Sequence, residues 1–214
     1  MNYTGEQKNL LPLQNMPTIG DRLNEKNIDW AWYAGGWNEA EAGKADKSFI
    51  YHHQPFVYFS NYSIETEQRK KNLKDEDDFT AAIASSTLPA VSFYKPSGEF
   101  DLHPGYTDVK SSEDHVFALI KQIENSKIWQ DSLIIVTFDD AGGFFDHVAP
   151  PKIDRFGPGS RVPTIIISPY AKSGFIDHNL YDTTSILKLI ETKFALEPLG
   201  SRDAGSGDLL NALK

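Results

Sequence analysis

A chain of 214 residues with 40% apolar side chains is long enough to bury one sizeable core, and its composition fits no disordered, collagenous or membrane class. The net charge of −9, with acids and bases interspersed and no basic tract, argues against capture of nucleic acid or of an anionic bilayer, so an anionic ligand would need a local site. Zero cysteines exclude a disulfide framework, a thiolate zinc site and a cysteine nucleophile, and suit either an oxidising or a reducing compartment.

No apolar run approaches the roughly 18 residues of a membrane span. Met1 to Asn15 lacks a charged segment followed by an apolar core, so no signal peptide is expected in this chain. Residues 1–18 are polar and proline-interrupted, and Asp21 to Asn27 reads as a short helix. Trp30-Ala-Trp-Tyr33 has the aromatic alternation of a strand and is closed by Gly35-Gly36, after which Glu39 to Ser48 reads as a loop. The charge run Glu65 to Asp78 is expected to be a solvated face leading into a helix, Asp78 to Ser85, capped by Asp. Leu88 to Tyr94 is a predicted strand. Ser112 to Trp129 is a predicted amphipathic helix, because Val116, Leu119, Ile120 and Ile123 fall at i, i+3, i+4 and i+7. Leu133 to Phe138 is an unbroken apolar run of strand length, the pattern of a strand covered on both faces in a parallel sheet, and Val162 to Ser168 repeats it. Asp182-Thr-Thr-Ser opens a last helix with Ile186, Ile190 and Phe194 on one stripe, ahead of a glycine-rich tail from Gly200 to Gly207. Strands alternating with helices predict an α/β sandwich.

Chemistry concentrates in Phe138-Asp-Asp-Ala-Gly-Gly-Phe-Phe-Asp-His147, at the C-terminal end of the strongest predicted strand, the edge where open α/β sheets bind ligands. The adjacent carboxylates Asp139 and Asp140 repel each other unless a proton or a hard cation holds them together. Gly142 and Gly143 let the backbone turn sharply and come close to a phosphoryl group or metal. The competing reading is an acidic glycine turn in which the acids merely cap backbone amides.

His52-His53-Gln-Pro and His103-Pro-Gly both stand on predicted loops rather than on helix stripes. Imidazole there can donate a proton to a leaving alkoxide, bind phosphate oxygens or ligate metal. Other histidines have blander readings: His115 in a first helical turn as solvated, His178 as a loop residue, and His147 beside Asp146 as a structural anchor for the glycine turn. Ser111 and Ser112 read as helix caps.

The run Phe138 to Pro151 is similar to the signature of the acid phosphatase and phospholipase C (phosphoesterase) family, in which paired acids precede Gly-Gly, two aromatics and Asp-His-Val-x-Pro-Pro. Gly157 to Pro169, Ile176-Asp-His178, Tyr181 to Leu187, Leu88 to Phe93, His103 to Tyr106, Trp30 to Ala34 and His52 to Pro55 continue the resemblance in the family's order. It implies an alkaline-phosphatase-like three-layer α/β sandwich with a mostly parallel sheet, present in part. It also implies cleavage of phosphomonoesters or phospholipid head-group esters by a Ser or Thr nucleophile at a divalent metal ion. Residue by residue, it places Asp139 and Asp140 on the metal-binding carboxylates, His103 on a proton donor, and His52 and His53 around the phosphate. Gly142, Gly143 and His147 fall in the substrate loop. The Asp-Asp form resembles the acid phosphatase branch. Thr183 and Thr184 follow Asp182 where phospholipase-like members have His-Thr, and relatives are commonly exported.

The family's Glu-Asn metal pair and its nucleophilic hydroxyl have no counterpart motif in this sequence; Asn38-Glu39 is reversed and out of place. Met1 aligns with the family's middle. The expectation is therefore that residues 1–214 are the C-terminal portion of one phosphoesterase domain, with the N-terminal half supplying the nucleophile as a partner. A catalytically silent domain that keeps the fold, or another metal enzyme of the superfamily such as a sulfatase or phosphomutase, are the alternatives.

Overall fold

The computed structural model describes residues 12–214, so most of the polar entry segment lies outside the described residues. The chain forms two compact units: residues up to Gly20 with Asn27–Ile128, and Asp21–Lys26 with Trp129–Lys214. The helix α1 (Ile19–Glu25) starts in one and ends in the other.

The first unit is built on three parallel strands in the order β2-β1-β3. Strand β1 (Trp30–Ala34) is central, and its all-apolar sequence is explained by cover on both faces. Trp30 and Trp32 project to one side, where Phe56 lies 4.8 and 5.6 Å from them, ring centre to ring centre. Tyr33 projects to the other and meets Phe79 at 5.0 Å. Phe56 and Tyr62 come from short 3-10 turns over residues 51–62, and Phe79 from a helix, so unit 1 has the three layers expected of an α/β fold. After β1 the chain forms α2 (Trp37–Glu41), a turn of helix where a loop was expected, entered through Gly36 at a left-handed φ of 79°.

The charge run is solvated only in part: Glu65, Glu67, Lys70, Lys71, Asp77 and Asp78 are exposed, but other members turn inward. It forms α3 (Glu67–Asn72), the edge strand β2 (Leu73–Asp75) and the start of α4 (Glu76–Ser85), and Arg69, Asn72 and Asp75 are buried within it. Burial is tolerated because most of the polar ends are satisfied, Asn72 Oδ1 being the exception. Arg69 pairs with Glu41, donates to the Tyr62 carbonyl at 3.0 Å and lies over the Trp37 ring. Asn72 donates to the Trp30 carbonyl at 2.7 Å. Asp75 caps α4, with Asp78 returning the hydrogen bond to the Asp75 amide, and also accepts from Asn38 N–H in the first turn of α2. Polarity along a segment predicts exposure only where nothing across the fold answers it.

Strand β3 (Val91–Lys95) runs beside β1, Trp30 opposite Val91 and Ala34 opposite Lys95. Helix α5 (Val109–Glu124) begins three residues before the expected start and ends five before the expected stop. Its cap is Asp108, whose carboxylate accepts the Ser111 amide at 2.9 Å; Ser111 and Ser112 lie inside the helix, and a 3-10 turn over Lys127–Asp131 follows. Leu119 and Ile123 are buried, as the apolar stripe requires.

In the second unit β4 (Ile134–Thr137) and β5 (Thr164–Ile167) pair antiparallel, Ile134 opposite Ile167 and Thr137 opposite Thr164. This corrects the expectation of a parallel strand covered on both faces: β4 is half-buried and Ile165 is 58% exposed. A continuous apolar run encodes hydrophobicity on both faces but not the direction of the neighbour. Helix α6 (Thr184–Phe194) is launched by Asp182, whose Oδ1 accepts the Thr184 amide and hydroxyl. It buries Leu189 and Ile190 together with Glu191. The glycine-rich tail is not all loop, since α7 (Ser201–Gly205) forms within it around the buried Asp203. The parallel sheet with its flanking helices makes the chain α/β, as expected, and is consistent with part of an alkaline-phosphatase-like fold. No helix among the described residues is long and apolar enough to cross a membrane.

Candidate active site

His52, His53 and His103 belong to the first unit, the last of them on the loop, residues 96–108, between β3 and α5. His52 and His53 occupy a 3-10 turn with ring centroids 5.1 Å apart, but their surroundings differ: His52 is exposed and His53 is buried. The His53 Nδ1 is 2.9 Å from the Pro96 carbonyl, at the entry of the loop. A carbonyl only accepts, so Nδ1 carries the hydrogen and Nε2 is bare. Burial, with the nearby Lys95 charge, pushes the His53 pKa down to about 4, so this ring is neutral at physiological pH and suited to holding the loop rather than a phosphate charge.

His103 sits further along the loop and is exposed. Its amide is fixed by Asp101 Oδ1 at 2.9 Å, and its Nδ1 is 2.8 Å from the Pro104 carbonyl. The same logic puts the hydrogen on Nδ1 in the neutral ring and leaves Nε2 without a protein partner among the described residues. His115, expected to be solvated, is instead largely covered. Its Nε2 lies 2.6 Å from the Tyr94 hydroxyl and 3.3 Å from Glu76 Oε1, because α5 turns this face of its first turns toward β3 and α4.

The acidic glycine turn belongs to the second unit and leaves the C-terminal end of β4. Asp139 and Asp140 are exposed, and Asp140 Oδ1 accepts the Gly142 amide at 2.6 Å, closing a local turn. Gly142 and Gly143 take φ of 60° and 78°, the left-handed region that their lack of Cβ permits. The anchor of this turn is Asp146 rather than its neighbour His147, which is exposed. Asp146 accepts the Val148 amide and forms a two-pronged pair with the Arg161 guanidinium at 2.8 and 3.0 Å. That pair holds the Asp146 carboxyl well below the usual carboxylate range and ties the turn to the approach to β5.

Two hard carboxylates suit a hard divalent cation in kind but fall short in number, since such ions take six or more oxygens. No group of three or more His, Asp or Glu among the described residues is placed to hold a metal ion. Asp139 and Asp140 thus fit part of a ligand set.

The chain belongs to the phosphoesterase family, whose pattern matches residues 1–197. It is similar to phospholipase C B of Mycobacterium tuberculosis, 33% identical over 160 residues, which cover 62% of this chain and 30% of that protein. It also resembles hemolytic phospholipase C of Pseudomonas aeruginosa, 23% identical over 84% of this chain and 30% of that protein. A probable acid phosphatase of Kluyveromyces lactis is 26% identical over 91% of this chain and 46% of that protein. The chain spans under half the length of each of these relatives.

The buried neutral His53 makes a stability prediction. Its folded pKa of about 4 lies below the ordinary 6.5, so its contribution is complete above pH 6.5 and is lost as pH falls toward 4. The loss between pH 7 and pH 5 corresponds to about 2 kcal/mol. Urea unfolding followed by tryptophan fluorescence should show a lower midpoint at pH 5 than at pH 7. The His53→Gln variant should lose most of that difference, and an undiminished acid sensitivity would contradict the assignment.

Proposed function

We propose that this chain is part of a phosphoric-ester hydrolase of acid phosphatase or phospholipase C type, acting on a phosphate monoester or a phospholipid. The match to the phosphoesterase family across residues 1–197 carries this reading. The nucleophile is a Ser or Thr hydroxyl from an N-terminal half of the same enzyme, and residues 1–214 are the C-terminal portion of the domain.

Each residue is assigned from its own unit. His103 holds a proton on its outward Nε2 and gives it to the leaving oxygen. His52, exposed on its 3-10 turn, contacts the phosphate oxygens. His53 stays neutral and fixes the loop entry through Pro96. Asp139 and Asp140 are metal ligands, and Gly142 and Gly143 leave room for a phosphoryl group near the main chain. A divalent cation held there supplies Lewis-acid polarisation of the phosphoryl oxygens.

The test is hydrolysis of phosphomonoester and phosphodiester substrates by residues 1–214 combined with such an N-terminal half. In that assembly Asp139→Asn should lower bound metal, measured by elemental analysis, and turnover together, each by about tenfold or more, in keeping with the cost of perturbing a metal site. Full metal content with full activity would remove the acidic pair from the mechanism.

A further inference from the structure

Five rings form a continuous ladder through the first unit. Tyr33 on β1 meets Phe79 on α4 at 5.0 Å, and Phe79 stacks on Tyr94 of β3 at 4.9 Å and 13°. Tyr94 faces His115 of α5 at 6.0 Å, and His115 stacks on Phe100 at 4.3 Å with planes only 3° apart. The ladder therefore begins in the central strand and ends on the loop that carries His103. Its fourth ring is held by the 2.6 Å hydrogen bond between His115 Nε2 and the Tyr94 hydroxyl, with Glu76 Oε1 3.3 Å from the same nitrogen.

The loop needs such a tether. Its entry is fixed by His53 at the Pro96 carbonyl and by the Gly98 amide, which donates to the Ser48 carbonyl at 2.7 Å. From Phe100 to Tyr106 the hydrogen bonds run within the loop: Phe100 N–H to Ser97, His103 N–H to Asp101, and Tyr106 N–H to the His103 carbonyl. Leu102, immediately before His103, has a φ of 62°, a conformation that a side chain with a Cβ adopts only when its surroundings impose it. Two residues earlier, the Phe100 ring lies flat on His115.

We propose that Phe100 and His115 are positioning residues: their stack clamps the loop and sets the direction of the His103 ring. The inference rests on the assignment of His103 as proton donor, and its test separates the two. Amide hydrogen exchange on the 214-residue chain reads the clamp alone. Phe100→Ala should speed exchange of the Tyr106 amide at least tenfold while the Trp32 and Phe93 amides of β1 and β3 keep their wild-type rates. Phe100→Tyr, which preserves the plane, should restore protection. Should Phe100→Ala fail to fold, Phe100→Leu keeps the bulk without the plane and gives the same readout. An unchanged Tyr106 rate, or strand amides that accelerate in step with it, overturns the clamp.

Kinetics in the assembled enzyme read the consequence. Phe100→Ala should lower kcat with KM within twofold, and more for alkyl than for nitrophenyl phosphate, in parallel with His103→Ala. A leaving-group effect in His103→Ala but not in Phe100→Ala overturns positioning. Its absence in His103→Ala itself defeats the proton-donor assignment while the exchange result still decides the clamp.

Discussion

In the assembled enzyme, His103→Ala should slow hydrolysis of an alkyl phosphate by about 10²- to 10⁴-fold, the usual contribution of a positioned general acid, and slow nitrophenyl phosphate far less. The difference follows from the leaving group. An alkoxide is strongly basic and departs only as it is protonated, whereas nitrophenolate carries its own charge. In the proposed role the Pro104 carbonyl, 2.8 Å from Nδ1, takes the hydrogen of that nitrogen, so Nε2 would be the one that faces the leaving oxygen. Equal losses on both substrates, read from kcat with each, would assign His103 to phosphate binding instead.

How much of this was legible in the sequence depended on what kind of signal each feature leaves. Strands β1 and β3 and helices α4 and α5 follow from alternation, periodicity and capping, and the structure has all four within a few residues of the expected bounds. The pairing of β4 with β5 was not legible, since an isoleucine-rich run reads the same in either direction. The charge run misled for a related reason. Arg69 is buried through Glu41 and Tyr62, and Asn72 through the Trp30 carbonyl, partners 7 to 42 residues away that local polarity cannot reveal. At the candidate site the acidic glycine turn and the three histidines were visible as motifs. Their division of labour was not: burial separates His53 from His52, and the true anchor of the turn is Asp146 paired with Arg161, 15 residues on. The presence of Asp146 within the motif was the one available hint. His115 looked solvated by its place in a first turn, because the ring ladder that covers it is assembled from four separate elements.

Replacement of Glu191 by Gln should remove an alkaline weakness from the second unit. Glu191 is 3% exposed, and neither of its carboxylate oxygens meets a hydrogen-bond donor. The neighbouring buried carboxyl is Asp203, whose oxygens accept the Leu199 and Gly200 amides at 2.6 and 2.8 Å. Two ionised carboxylates there offer each other nothing, but a proton on Glu191 turns its carboxyl into a donor to Asp203. Burial, then that hydrogen bond and the Asp203 charge, raise the Glu191 pKa to about 7 against the opposing pull of Lys188. A folded pKa above the unfolded value means that the contribution is complete below about pH 4.5 and is lost as pH rises through about 7. The shift corresponds to roughly 3 kcal/mol at full value, of which about 2 kcal/mol separates pH 5 from pH 9. The wild-type α6 amides should therefore exchange about 30-fold faster, after correction for intrinsic rates, at pH 9 than at pH 5, while Glu191→Gln, which keeps a donor for Asp203 at every pH, should flatten that dependence. The effect runs opposite to the acid sensitivity expected from His53 in the first unit, so one chain should loosen in different places at the two ends of the pH scale. An α6 that loosens equally at pH 9 in both proteins would show that the proton is not shared between Glu191 and Asp203.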